Sequence, residues 1–260
     1  MRARHPFKNY IVGHYWSWFE RPRVWVRYDG RAMIGVRLGD YLQQRIFFDG
    51  YYERPLVDWL KATLRPADVF WDVGANIGAI TIVASRLCRR VVAFEPDPRS
   101  LIALRENLRA NRIDNVEVVA SALGSQSGTA TLYQAAPLNT GMTTLIPARG
   151  KFVGQTQVEL IRADDLIVLR PELTPTVVKL DVEGAEHLVL GGAAALLRSG
   201  SLRALVFEDK RGADTLPTNL ELTARLREAH FDIHPFASSD PSTADEMFNF
   251  VATPAPGTCA

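Results

Sequence analysis

"VFWDVGANIGAI", residues 69–80, decides how this chain folds. A short apolar run, Val69–Val73, carries one acid, Asp72, near its end. Gly74, Asn76 and Gly78 follow, and an apolar helical pattern covers 77–87. Strand, tight turn and helix in that order form the unit from which parallel sheets are wound. Glycines in the turn let a ligand touch the main chain. Their spacing is G-x-x-x-G, whereas a dinucleotide pyrophosphate is seated by G-x-G-x-x-G at a helix N-terminus. A carboxylate at Asp72 facing that loop would repel a pyrophosphate and welcome an ammonium or sulfonium. S-adenosylmethionine (SAM) carries both.

The same rhythm continues outward. "VVAFE", residues 91–95, is a second strand closed by Glu95, 23 positions beyond Asp72. An acid at that strand end accepts hydrogen bonds from ribose hydroxyls and rejects a 2′-phosphate. Asp97 caps a helix with Pro98 in its first turn, and Leu101, Leu104 and Leu108 share one face of it. "VEVVA" (116–120), "TVVKLD" (176–181) and "LRALVFED" (202–209) are further strands. Nearly continuous apolar strands separated by helices predict a doubly wound α/β sheet covered on both faces. Ser121 and Ala122, just past the third strand, are placed to meet an adenine edge.

Two segments depart from this pattern. Residues 129–166 read as strand, loop and strand inserted before the fourth sheet strand, a hairpin insertion in which Asn139, Thr140 and Thr143 are candidate contacts. Residues 1–50 form an N-terminal extension, a cap or dimer element, with a hairpin turning at Asp29-Gly30. Tyr15, Trp16, Trp18 and Phe19 crowd its start. Residues 51–260 make the cofactor-binding domain, and Tyr52 and Glu53 at its entrance are candidates to lid the cofactor's amino-acid end.

The bulk numbers exclude several classes. With 260 residues, 47% hydrophobic and 23% charged, the chain can bury a sizeable core. Its net charge of +1 makes no global case for nucleic acid. Two cysteines, Cys88 and Cys259, supply neither a disulfide framework nor a zinc cluster, and fit a reducing, cytoplasmic setting. No secretory leader and no apolar run near the ~18 residues of a membrane span is visible.

Together, "GYYERPLVDWL", "DVGANIGAI", "VVAFEPDP" and "VVKLDVEGAEHLVLGG" resemble the FkbM-type family of SAM-dependent methyltransferases, from about residue 50 to 251. "LDVEGAE" is the most family-specific piece. The resemblance implies a Rossmann-like methyltransferase sheet of seven strands, the last antiparallel, here "MFNFVAT". It implies O-methylation of a sugar, polyketide or similar small-molecule or glycan hydroxyl. Asp72, Gly74, Asn76 and Gly78 would then form the SAM loop, and Glu95 would hold ribose. A nucleic-acid methyltransferase and a SAM-fold binding module without catalysis are the alternatives.

Methyl transfer to an alcohol needs positioning and proton removal. Asp181 ends the strand beside the first and is placed to reach the methyl region. Lys179 points the same way by period two. It either pairs with Asp181 or serves as an amine of lowered pKa. Glu208, at the end of the next strand, is a third catalytic candidate. Asp181 with Glu208 or Asp209 forms a candidate Mg²⁺ site of oxygen ligands. His187, His230 and His234 read as solvated or structural.

Overall fold

The computed structural model describes residues 23–136, 139–147, 152–210, 212, 216–236 and 247–257. The N-terminal aromatics, Cys259 and part of the hairpin insertion lie outside them.

The described residues build a seven-stranded sheet in the order β11-β12-β10-β9-β3-β4-β5. Its strands are β3 (Val69–Val73), β4 (Arg90–Phe94), β5 (Val116–Val119), β9 (Val177–Leu180), β10 (Ala204–Lys210), β11 (Phe231–Pro235) and β12 (Met247–Pro254). β12 is antiparallel to both its neighbours, and the pairings from β5 through β10 are parallel. The doubly wound sheet with its antiparallel last strand is therefore present. β3 and β9, neighbours in space, are separated in sequence by everything wound on the β4–β5 side. The strand order reverses between them, which makes their carboxyl ends the switch point.

Alternation sorts the strand residues onto two cores. Phe70 on β3, Val91 on β4 and Val177 on β9 join one cluster, and Trp71, Val92 and Val178 the other. The first face is covered by α2 (Arg54–Thr63), α3 (Ala79–Ala84) and α4 (Pro98–Ala110). The second is covered by α5 (Ala163–Leu169), α6 (Glu186–Gly191), α7 (Ala194–Arg198) and α8 (Leu220–Glu228). Trp71 and Phe94 sit ring to ring at 4.8 Å in the second core. α4 begins as its sequence suggests, with Asp97 Oδ1 accepting from the Arg99 N–H at 3.0 Å and Pro98 in the first turn. α3 is shorter than its apolar pattern. It ends at Ala84, where the Ser85 hydroxyl donates to the Ile82 carbonyl and the chain turns.

The N-terminal hairpin of β1 (Arg23–Tyr28) and β2 (Ala32–Arg37) turns at Asp29 and Gly30, both at positive φ. It is stapled to α4. The Asn107 carboxamide accepts from the Gly35 N–H at 2.8 Å and from Arg23 at 2.9 Å, and Arg23 pairs with Glu106. α1 (Tyr41–Asp49) follows, and Tyr28, Ile34, Val36 and Ile46 are fully buried in the first core. The insertion forms a second small sheet in which β8 (Phe152–Ile161) pairs with β7 (Gly128–Ala135) and with β6 (Ala122–Leu123). Among the described residues no helix is long and apolar enough to cross a membrane.

Candidate active site

A cavity of about 910 Å³, open solvent at its mouth included, lies over the carboxyl ends of β3, β4 and β9. Its floor is the turn after β3. Gly74 (φ 82°), Asn76 (φ 50°) and Gly78 (φ 87°) all take left-handed conformations. Gly74 has a second reason to be glycine, since a Cβ there would stand 1.9 Å from the Asp181 carbonyl oxygen.

The turn spends its own donors. The Gly74 and Ala75 amides both donate to the Phe94 carbonyl at 3.0 Å, and the Gly78 amide donates to Ala75 at 2.8 Å. The Asn76 amide donates to Glu95 Oε2 at 2.7 Å. Four amides of the loop thus have internal partners, whereas a phosphate cradle turns its amides toward the ligand. Glu95 lines the cavity, with Oε1 accepting from the Asp97 N–H at 2.8 Å. Each of its oxygens keeps acceptor capacity for the cavity. Burial pushes its pKa up to about 7, against the pull of those two amides.

At the cavity's far wall Lys179 is the hub. It is nearly fully buried, and its Nζ donates to the Gly74 carbonyl at 2.9 Å. Nζ lies 3.2 Å from Asp181 Oδ2 and 3.4 Å from Asp72 Oδ1. The register explains the meeting, because Lys179 on β9 stands opposite Asp72 on β3. Burial alone would lower the Lys179 pKa, but Asp181, Asp72 and Glu53 outweigh it and hold the ammonium above its ordinary value. The amine of lowered pKa is thereby corrected, since Lys179 stays charged.

The other sequence candidates fall as follows. Asp72 is completely buried beneath the loop, off the cavity wall, and accepts the Thr81 hydroxyl at 2.5 Å. Ser121 and Ala122 line the cavity, and the Ser121 hydroxyl donates to Glu159 of the insertion at 2.5 Å. Thr140 and Thr143 line it too. Glu53 is half-buried at the N-terminus of α2, off the wall. Burial first, then Asp181, raises its pKa to about 7. His187 is absent from the lining.

Glu208 and Asp209 do not both face Asp181. Adjacent strand residues face opposite sides of the sheet, so only one of the pair can turn toward Asp181. Asp209 closes the chain into α8, accepting from the Lys210 and Asn219 amides at 2.7 and 2.8 Å. Glu208 lies off the cavity wall. Burial first and then Asp181 push its pKa up to about 9. Among the described residues no group of three or more His, Cys, Asp or Glu is placed to hold a metal ion.

Three parts of the wall are not singled out by the sequence. Leu42 arrives from α1, a segment with no local signal for the site. Thr144 donates its hydroxyl to the Glu183 carbonyl at 2.9 Å, tying the insertion to the turn after β9. Glu183 lines the cavity at φ 56°, and burial followed by Asp181 raises its pKa to about 8. The turn is closed by Glu186, whose Oε1 accepts from the Val182 and Gly184 amides at 3.0 and 3.3 Å.

A family model described as the methyltransferase FkbM domain matches residues 72–233. The chain is 30% identical to the hexuronic acid methyltransferase AglP of Haloferax volcanii, over 62% of this chain and 64% of that protein. It therefore spans a little under two thirds of AglP. It is 30% identical to the 31-O-demethyl-FK506 methyltransferase FkbM of Streptomyces tacrolimicus, over 63% of this chain and 73% of that one. The crystal structure of methyltransferase FkbM from Methylobacillus flagellatus KT matches with a TM-score of 0.50 at 21% identity, covering 74% of this chain and 45% of its own. M. jannaschii TYW2 in complex with AdoMet matches at 0.51 and 11% identity, covering 90% and 85%. These two structures share the fold.

Proposed function

The chain belongs to the FkbM methyltransferase family, and from that premise we propose that it transfers a methyl group from SAM to a hydroxyl of a small molecule or glycan. The observation that carries the cofactor assignment is the turn at 74–78, whose amides are used internally while the carboxylate of Glu95 faces the cavity. Such a floor suits ribose hydroxyls and a cation better than a pyrophosphate. When bound, SAM supplies an electrophilic sulfonium methyl.

Glu95 accepts the ribose hydroxyls. Ala122 and Leu123 give the cavity an apolar wall, where the adenine fits, and Ser121 gives that wall a polar edge. The methionine end then points toward Lys179, Asp181 and Glu183. Glu183, whose pKa burial and then Asp181 raise, is the second carboxyl group there. Asp181, held at 3.2 Å by the Lys179 ammonium, would accept the acceptor's hydroxyl proton. Lys179 orients that carboxylate and fixes the Gly74 carbonyl beside it.

The acceptor class follows the relatives, whose names specify a hexuronic acid and a demethylated natural product. The test is methyl transfer from radiolabelled SAM to panels of uronic acids, neutral sugars and hydroxylated polyketides. Asp181→Asn is expected to lower turnover at least about a hundredfold while SAM affinity changes by only a few-fold. Full turnover by that variant would remove Asp181 from the role.

A further inference from the structure

The cavity's roof comes from two segments far apart in sequence. α1 contributes Leu42, and the segment between β7 and β8 contributes Thr140, Gly141 and Thr143 to Leu145. Leu42 Cδ1 would be 3.5 Å from a Cβ built on Gly141, so the two halves of the roof lie against each other.

One carboxylate joins them. Asp40 is 1% exposed. Its Oδ1 accepts from the Gln43 N–H at 3.0 Å, the N-terminal cap of α1. Its Oδ2 accepts twice from Thr140, from the N–H at 2.8 Å and from the hydroxyl at 2.6 Å. The other end of the segment has its own anchors. Thr144 exchanges backbone hydrogen bonds with Tyr133 at 2.8 and 3.2 Å and donates its hydroxyl to Glu183. Asp40 lies outside residues 72–233, so the family match does not account for it.

We propose that Asp40 is a positioning residue for methyl transfer, which by gripping Thr140 holds the roof over the bound cofactor. It rests on the reading that the cavity takes SAM. Two charge-assisted hydrogen bonds onto one oxygen hold the near end of the segment, and its loss frees that end while the sheet stays intact. Its mark is on how long the cofactor stays.

Asp40→Asn separates this role from helix capping. Asparagine caps a helix about as well as aspartate, but its amide nitrogen, put in place of Oδ2, cannot accept from Thr140. Thr140→Val removes the hydroxyl and keeps the backbone donor. The measurement is the release rate of S-adenosylhomocysteine by stopped flow, with the melting temperature of the ligand-free protein beside it. Asp40→Asn is expected to release the ligand about tenfold faster, with melting within about two degrees of wild type. Thr140→Val should show a smaller increase, and the double variant should be no faster than Asp40→Asn alone. Unchanged release in Asp40→Asn overturns the proposal. So does faster release with a melting point lowered by more than about five degrees, or strict additivity of the two substitutions. A folded wild type that binds no S-adenosylhomocysteine fails at the earlier step, the cofactor assignment, and takes this inference with it.

Discussion

The floor and the roof of the cavity are held by different means. The floor is closed by backbone, as left-handed residues at 74, 76 and 78 send their amides into Phe94, Ala75 and Glu95. The roof is closed by side chains, as Asp40 grips Thr140, Arg99 reaches Thr143 at 3.4 Å and Thr144 holds Glu183. A backbone floor is preformed and resists substitution. A side-chain roof can be rebuilt at small cost and can open.

The largest expected effect lies under the floor. Lys179→Met strands the fully buried carboxylate of Asp72 and should destabilise the protein by about 3–5 kcal/mol in chemical denaturation. Adding Asp72→Asn should return part of that. A loss below about 1 kcal/mol would mean that Lys179 is not the hub of the floor. Next comes Gly74→Ala, which drives a Cβ into the Asp181 carbonyl at a φ of 82°. It should cost about 2–3 kcal/mol and abolish measurable S-adenosylhomocysteine binding. Wild-type affinity would show the floor to be more plastic than the backbone allows.

A pH series reads the two walls together. Carboxyl groups normally titrate near 4.5, but burial holds Glu53, Glu95 and Glu186 near 7, Glu183 near 8 and Glu208 near 9. Such groups bind protons more tightly folded than unfolded. Their contribution to stability is complete below pH 4.5 and is lost as pH rises through 7 to 9. The melting temperature of the ligand-free protein should therefore fall across that window, and Glu208→Gln should flatten its upper part. A bound cation favours the ionised forms, so SAM should gain affinity relative to uncharged-sulfur S-adenosylhomocysteine as pH rises from about 6.5 to 8.5. A pH-independent ratio would place the sulfonium away from these carboxyl groups. The smallest effect belongs to the roof. Thr143→Val, losing a long hydrogen bond, should change stability by less than about 0.5 kcal/mol.

How far the sequence could be read follows the same line. The floor was legible because it is local, with strand, turn and the start of a helix inside twelve consecutive residues and Glu95 at the next strand end. What lay across the sheet was harder. Lys179 shows its bond to Gly74 only once β9 is known to lie beside β3. Glu208 and Asp209 are equivalent candidates in a string, yet strand alternation turns them to opposite sides of the sheet. Asp72 reads as a cofactor contact, but it turns inward to Thr81 and Lys179. Asp40 has no local signal at all, because its partner is 100 residues away.

The central claim, that the cavity takes an S-adenosyl cofactor with its ribose on Glu95, is tested most directly by calorimetric titration. S-adenosylhomocysteine and NAD are titrated separately into wild type and into Glu95→Gln. Saturable binding of S-adenosylhomocysteine to the wild type, no binding of NAD, and affinity weakened about tenfold or more in Glu95→Gln are expected. A folded wild-type protein that gives no heat with S-adenosylhomocysteine, or a Glu95→Gln variant that binds it equally well, would contradict it.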